Sequence, residues 1–380
     1  ALSDVWGEFI DLGNGRGTDT PPQRWLMGED LPGGAIRNMA DPTAFGDPDK
    51  MSSANYACDL AEQDSGGVHA NSGVLNKAAS LLVDGGLFNG KTVAAIGVTP
   101  VAKILYLVQT GYLSSASDYA NLYNAMNSAC SALVGSSGIT AATCAAVRNA
   151  VDATEMNQQP AACAAPEAPV CDSGKIPRTV FLDTLENTSS GNWESQNLTG
   201  PNTVYYPSTS NPYGLEWVYA VSGATSVWIE DYDAVSDNAF AMSASRSIPA
   251  NAFFRFEHAY GFEDSAAGLH AYDGGVVEYS TNGGASWSDA GGLFLNNGYN
   301  KTLDTGGGNP LEGRSAFGGE SNGYISSRLN LASLSGQNAR FRFRVGSDSS
   351  VLDYGWFIDN PWIYTCVTVT GRAFVPLTLR

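Results

Sequence analysis

The apolar residues of this chain change period near Pro177, and no single fold accommodates both halves. Up to about Ala153 they recur at i, i+3 and i+4, the stripe of a helix packed on a core. Beyond Arg178 short runs alternate apolar and polar residues between Gly, Asn and Asp turns, the pattern of half-buried strands. A chain of 380 residues also exceeds the roughly 250 at which single cores stop growing. The expectation is a multi-domain α + β chain, a mainly α-helical domain over 1–156 followed by an all-β jelly-roll sandwich over 178–370. A linker spans 157–177, and 371–380 forms a short tail whose apolar end, Phe374 to Arg380, reads as unstructured.

Leu2, Val5, Trp6, Phe9 and Ile10 form a helical stripe that starts at once, with no Ser, Thr, Asp or Asn before it to cap it. This predicts a longer helix cut short, with Val5, Trp6 and Phe9 poorly covered unless another domain docks on them. A second helix should follow Asn71, bury Val74, Leu75, Ala78, Leu81 and Leu82, and stop at Gly85-Gly86 in a left-handed cap. Thr99-Pro100 reads as cap and first residue of a third, with Val101, Ile104, Leu105 and Val108 inward and an end near Gly111. Two more helices, about Tyr119 to Leu133 and Ala141 to Ala153, form a hairpin. In the second half Thr203–Tyr206, Ser226–Glu230, Ala252–His258, Val276–Ser280 and Ala339–Val345 read as strands, and Asn282-Gly283-Gly284 and Ser321-Asn322-Gly323 as turns.

Composition excludes some partners. With 20 basic and 38 acidic residues the net charge is -18, which opposes nucleic acid and anionic lipid. No apolar run is long enough to span a bilayer, and no signal peptide is recognisable, so a secretion signal would be absent or removed. A charge content of 15 %, 43 Gly and six Cys without a C-x-x-C suit an extracellular protein. Cys130 and Cys144 fall on facing helical stripes and should pair. Cys163 and Cys171 suggest a stapled linker, and Cys366 would pair with Cys58 or with a lost partner; sequence does not fix the connectivity.

Three histidines, His69, His258 and His270, and no H-x-x-x-H leave no zinc site of familiar spacing. His69 lies in a glycine-rich loop just before a helix, where Asp64 would orient its ring and favour the cation, useful beside an oxyanion. A lone His there is more often a cap or a loop residue. Asp4, Glu8 and Asp11 share one helical face, which by itself reads as solvated.

The stretch from Gly66-Gly67-Val68-His69-Ala70-Asn71-Ser72-Gly73 to Ala79 resembles, nearly residue for residue, the segment of thermolysin-like zinc metallopeptidases that bears the transition-state histidine. Ala1-Leu2-Ser3-Asp4-Val5-Trp6-Gly7, Trp25 to Asp30, and Ile36-Arg37-Asn38-Met39 match in the same order, so the resemblance covers about 1–156. It implies that His69 donates to the oxyanion with Asp64 holding its ring, that Arg37 and its neighbour Ile36 meet substrate, and that Asp4 orients a zinc-binding His. It implies that Asp11 and Glu29 hold structural calcium. Two other positions where the family places acidic ligands are Arg24 and Leu26, so a reduced, single-ion site is expected. The family's H-E-x-x-H and third ligand, a Glu, would fall before Ala1, so zinc ligands are expected in a missing upstream half and the chain alone should be inactive.

The second half resembles the jelly-roll, MAM-like modules of secreted bacterial peptidases through Gly275 to Trp287 and Tyr354 to Asn360, modules that often bind calcium and sometimes glycans or cell-surface proteins. Trp287 and Trp356 read as core rather than sugar platforms. The functional reading is a secreted zinc metalloendopeptidase acting on proteins and peptides, with this chain as its substrate-side part. The alternative is a noncatalytic extracellular binding or surface protein on a peptidase-derived scaffold.

Overall fold

The structure, a computed structural model, describes residues 1–58, 67–136, 138–158, 160, 163, 167–265, 268 and 270–368. It divides into two units, Ala1–Ala164 and Ala165–Arg380.

In the first unit, helices α1 (Leu2–Asn14), α2 (Gly73–Asp84), α3 (Val98–Gly111), α4 (Tyr119–Leu133) and α5 (Ala141–Ala153) enclose one core. The apolar stripes meet there: Val5, Val74, Ile104, Leu105, Val108, Met126, Val147 and Ala150 are all fully buried. At roughly 1.5–3 kcal/mol for each large aliphatic side chain, this burial outweighs the helices' modest intrinsic propensities. Asp118 and Thr140 cap α4 and α5 by accepting from the backbone N–H of Asn121 and Thr143, the N3 side chains answering in turn. Cys130–Cys144 staples this hairpin, closing a sequence separation of 14, worth about 3 kcal/mol.

Several local expectations fail. Val5 and Phe9 are buried within their own unit, and the Trp6 indole N–H donates to Gln109 Oε1 at 2.9 Å, so no docked domain is needed to cover them. Ile10 turns to solvent, 70 % exposed, because the stripe is narrower than its five apolar residues suggest. Helix α3 begins one turn position earlier than Thr99, with Gly97 as cap and no side-chain cap bond. Pro100 then sits among the first four residues, whose N–H groups lack helical partners anyway. Gly85 closes α2 with φ 77° but ψ 175°, an extended exit rather than the left-handed cap.

The second unit is a sandwich of antiparallel sheets. Short strands of the first unit take the labels β1 (Leu26–Met27), β2 (Arg37–Asn38), β3 (Gly86–Phe88) and β4 (Lys91–Val93). The sandwich contributes β5 (Lys175–Leu182), β6 (Trp193–Thr199), β7 (Val204–Tyr205), β8 (Val227–Ile229) and β9 (Ser236–Met242). It continues with β10 (Ala252–Phe262), β11 (Gly274–Ser280), β12 (Ile325–Asn330), β13 (Asn338–Ser347) and β14 (Gly355–Thr368). One sheet runs β11-β13-β9-β6; the other runs β12-β10-β14-β8-β7, with β5 on the far half of β14. Strand β5 starts at Lys175, and Glu167, Ala168 and Val170 already bond to Arg255, Ser326 and Tyr364, so the region read as linker is partly built into this unit.

Between the sheets lie stacked rings, Phe254 on Phe341 at 4.4 Å and Trp193 on Phe240 at 4.9 Å, with Trp356 fully buried. Trp287 is not core: it is half-buried beside the guanidinium of Arg342, 4.4 Å from the ring centroid. The remaining disulfides are Cys58–Cys163 and Cys171–Cys366, one inside each unit, which replaces the expected pairing of Cys366 with Cys58. Thr365 and Arg178 are register partners on β14 and β5, and this antiparallel pairing keeps Cys366 close to the chain that leads into β5, where Cys171 lies. The tail from 369 onward lies outside the described residues.

Candidate functional site

Helix α1 brings Asp4 against the start of α2. Its Oδ2 accepts from Ser72 Oγ at 2.7 Å and Asn76 Nδ2 at 2.8 Å, and Arg37 on β2 approaches at 3.9 Å. Arg37 also lies 3.7 Å from Asp47. Burial alone would raise the Asp4 carboxyl, but the Asn76 and Ser72 hydrogen bonds and the Arg37 charge hold it below the ordinary carboxylate range. Asp4 is thus an anion of fixed orientation, not the solvated surface carboxylate that its helical face suggested.

The turn before α2 is built to tight tolerances. Gly67 has φ +80°, and a Cβ there would come within 2.6 Å of Asn71 Nδ2. Asn71, buried, exchanges two hydrogen bonds with the Ala57 backbone, 3.0 Å to its Oδ1 and 2.7 Å from its Nδ2. The Tyr119 hydroxyl donates to Asn71 O at 2.6 Å. These bonds pin the loop at Asn71, the middle residue of the 3₁₀ turn Ala70–Ser72, and His69 precedes that turn with its side chain exposed and no side-chain cap bond. Asp64 lies outside the described residues. Ile36, 60 % exposed, stands beside Arg37 where β2 begins.

A second cluster involves the outer end of α1. One carboxylate oxygen each of Asp11, Asp19 and Glu29 lies within 4.8 Å of the others. Glu8, buried to 4 % exposure on the same helix, is pushed up to about 8 by burial and then by the charges of Glu29, Asp11 and Asp19. Concentrated negative charge with only oxygen donors suits a hard cation. Arg24 does not fill the cluster: it forks onto Asp84 with bonds of 2.9 and 3.1 Å. Sequence reading missed Asp19, because it sits in a Gly-rich loop whose spacing carries no periodic signal.

His258 is fully buried in the sandwich and His270 is exposed there, and among the described residues no metal-capable cluster contains a His. No helix is long and apolar enough to cross a membrane.

Comparison with known proteins matches these parts unevenly. The model of the thermolysin metallopeptidase, alpha-helical domain, matches residues 1–156. A zinc metalloproteinase of Renibacterium salmoninarum is 44 % identical over 159 residues, 40 % of this chain and 29 % of its own length. A bacillolysin of Bacillus caldolyticus is 39 % identical over 141 residues, 36 % of this chain and 24 % of its own. The chain thus spans only 24–29 % of the length of these relatives. Among solved structures, the K3 cleaved adhesin domain of Lys-gingipain from Porphyromonas gingivalis w83 aligns at 16 % identity with a TM-score of 0.32, over 50 % of this chain and 99 % of that domain. The order of helices, the pinned His69 loop and the Asp4–Ser72–Asn76 contact all lie inside the matched span, and residues 1–156 accordingly belong to the thermolysin metallopeptidase α-helical domain family, joined in this chain to a β-sandwich.

Proposed function

We propose that this chain is the substrate-side part of a secreted bacterial zinc metalloendopeptidase that cleaves proteins and peptides on the amino side of apolar residues. The observation that carries the reading is Asp4, an oriented and partly buried carboxylate on a helix of the matched domain, held by Ser72, Asn76 and Arg37. A carboxylate so fixed suits accepting the second N–H of a metal-bound imidazole. Zinc, bound by residues upstream of Ala1, would supply an activated water. Within this chain His69 donates a hydrogen bond to the developing oxyanion, Asp64 steadies its ring, Arg37 binds a substrate carbonyl and Ile36 borders the same stretch. Calcium is held by Asp11, Asp19 and Glu29, and relieves the repulsion on Glu8.

The test uses the protein extended by its natural upstream sequence. His69→Ala should lower kcat on a peptide substrate by about 10²–10³ while zinc content stays unchanged. Unaltered kcat, or an extended protein without H-E-x-x-H and without zinc, would remove the reading. One observation favours the noncatalytic alternative: α1 already buries Val5 and Phe9 inside its own unit, so a scaffold without the zinc half is not left with a raw apolar face. The same extended protein decides, since a binding protein would carry neither zinc nor activity.

A further inference from the structure

In the first unit, residues 50–58 form a strap held against the residues that follow α5. Its near end is held by polar contacts: Met51 N donates to Thr154 O at 3.1 Å, Ser52 N donates to Glu155 Oε2 at 3.1 Å, and Lys50 Nζ lies 3.4 Å from Glu155 Oε1. Its far end is held covalently by Cys58–Cys163, which closes a sequence separation of 105. Between these anchors Tyr56 packs, partly buried, on the helical core.

The turn that carries His69 is fastened to this strap. The Asn71 side chain bonds both backbone groups of Ala57, the residue before Cys58. An amide that exchanges two bonds with one residue fixes rotation as well as distance, since neither bond can be given up without stranding a buried polar group. Asn71 N also donates to Gly67 O at 2.8 Å and so closes the turn around His69. A Cβ on Gly67 would meet Asn71 Nδ2 at 2.6 Å and the Ala57 Cβ at 2.7 Å, so strap and turn touch without slack. From the opposite side the Tyr119 hydroxyl of α4 holds Asn71 O. The turn is therefore gripped by the helical core on one side and by the strap on the other.

We infer that the Cys58–Cys163 disulfide is a redox-dependent positioning device for His69, acting through Ala57 and Asn71. The inference rests on the reading of His69 as the oxyanion donor and adds its regulation. With the bridge closed, the strap is tethered on both sides of Ala57, and the turn keeps His69 in one place. Reduction by a dithiol breaks the Sγ–Sγ bond, delivers two electrons and two protons to leave Cys58 and Cys163 as thiols, and converts the dithiol to its own disulfide. The far end of the strap is then released, and Asn71 loses a fixed partner. A displacement of about 1 Å in a group that acts on the transition state can cost about 10²-fold in rate, so loosening the turn slows turnover. Disulfides persist in oxidising surroundings and are reduced in the cytosol, so the turn is fixed only after export.

The first measurement uses the chain itself, whose three histidines give three ring signals in a proton–carbon correlation spectrum. His69→Ala assigns one, and His258 and His270, both in the second unit, serve as references. In Cys58→Ser/Cys163→Ser and in Asn71→Ala the His69 signal should shift and broaden while the other two stay. In Cys130→Ser/Cys144→Ser, which opens the other bridge of the same unit, it should not. In the protein extended by its natural upstream sequence, the first two variants should each lower kcat about tenfold or more at nearly constant KM. Asn71→Asp, which keeps the acceptor for Ala57 N, should recover part of that loss. Combining Cys58→Ser/Cys163→Ser with Asn71→Ala should cost no more than the larger single loss, since both cut one link. Asn71→Ala keeps the bridge, so misfolding of the disulfide variant leaves the test informative. An unmoved His69 signal in both variants, or fully additive losses, overturns the device. A moved signal with unaltered kcat upholds the device and removes His69 from the oxyanion role instead.

Discussion

His258 should make the sandwich acid-sensitive by a definite amount. Its ring is fully buried and both nitrogens are committed: the Trp356 indole N–H donates to Nδ1 at 3.0 Å, and Nε2 lies 2.8 Å from Ser327 Oγ. The Ser327 hydroxyl donates onward to Asn297 O at 2.5 Å, so the consistent tautomer is neutral, with Nε2–H donating. A proton on Nδ1 would have to displace the Trp356 bond in a site without counter-charge, and burial pushes the pKa down to about 3. The unfolded chain, at the ordinary 6.5, takes up this proton between pH 6.5 and 3 and the folded chain does not, so stability is full at neutral pH and falls with acidification through 6.5. From pH 7 to pH 5 the loss is about 2 kcal/mol. Asp231, Asp273 and Asp359 act in the opposite sense, because their raised pKa values favour the folded state as pH falls. The informative quantity is therefore the difference between the wild-type chain and His258→Gln, in which the acids cancel. Urea unfolding followed by tryptophan fluorescence at pH 7, 6 and 5, at constant calcium, should show the variant losing about 2 kcal/mol less over that range. Equal losses would refute the assignment of His258 as a neutral core histidine, whatever the offset at pH 7.

Two further substitutions probe the helical unit. Asp4→Ala removes the acceptor of Ser72 and Asn76, both buried, and should destabilise the unit by about 1–3 kcal/mol in urea, with Asp4→Asn milder because it keeps an oxygen; a cost under about 0.5 kcal/mol would mean that the contact is incidental. Gly73→Ala should destabilise although Ala is the better helix former by about 1 kcal/mol, since its Cβ would fall 2.3 Å from Pro48 O; a raised midpoint in thermal unfolding would contradict that packing.

Much of the helical half was legible because helix periodicity and capping are local. The limits of α4 and α5 follow from their stripes, and the structure adds the caps Asp118 and Thr140. The same local logic placed the strands around Ala252–His258 and Ala339–Val345, which the structure extends to Ala252–Phe262 and Asn338–Ser347. It erred where two readings compete within one turn, as at Thr99-Pro100, and where an amphipathic stripe has a margin, as at Ile10. The polar face of α1 is the instructive miss. Spacing alone cannot tell a solvated carboxylate from a buried one, and Glu8 is buried while Asp4 is held by Ser72 and Asn76 at the start of α2.

What the sequence by itself determined is the change of period near Pro177, the helical and strand segments on either side, and the motif around His69, each encoded by residues a few positions apart. What only the tertiary structure decided are the relations between distant residues. Asp19 joins Asp11 and Glu29, Cys171 meets Cys366 across a sequence separation of 195, and Asn71 meets the backbone of Ala57 beside the Cys58–Cys163 bridge. Such groupings are set by sheet register and by which loop folds over which helix. That information resides in the packing of the whole core, so residues that share a site need leave no mark of it in their spacing along the chain.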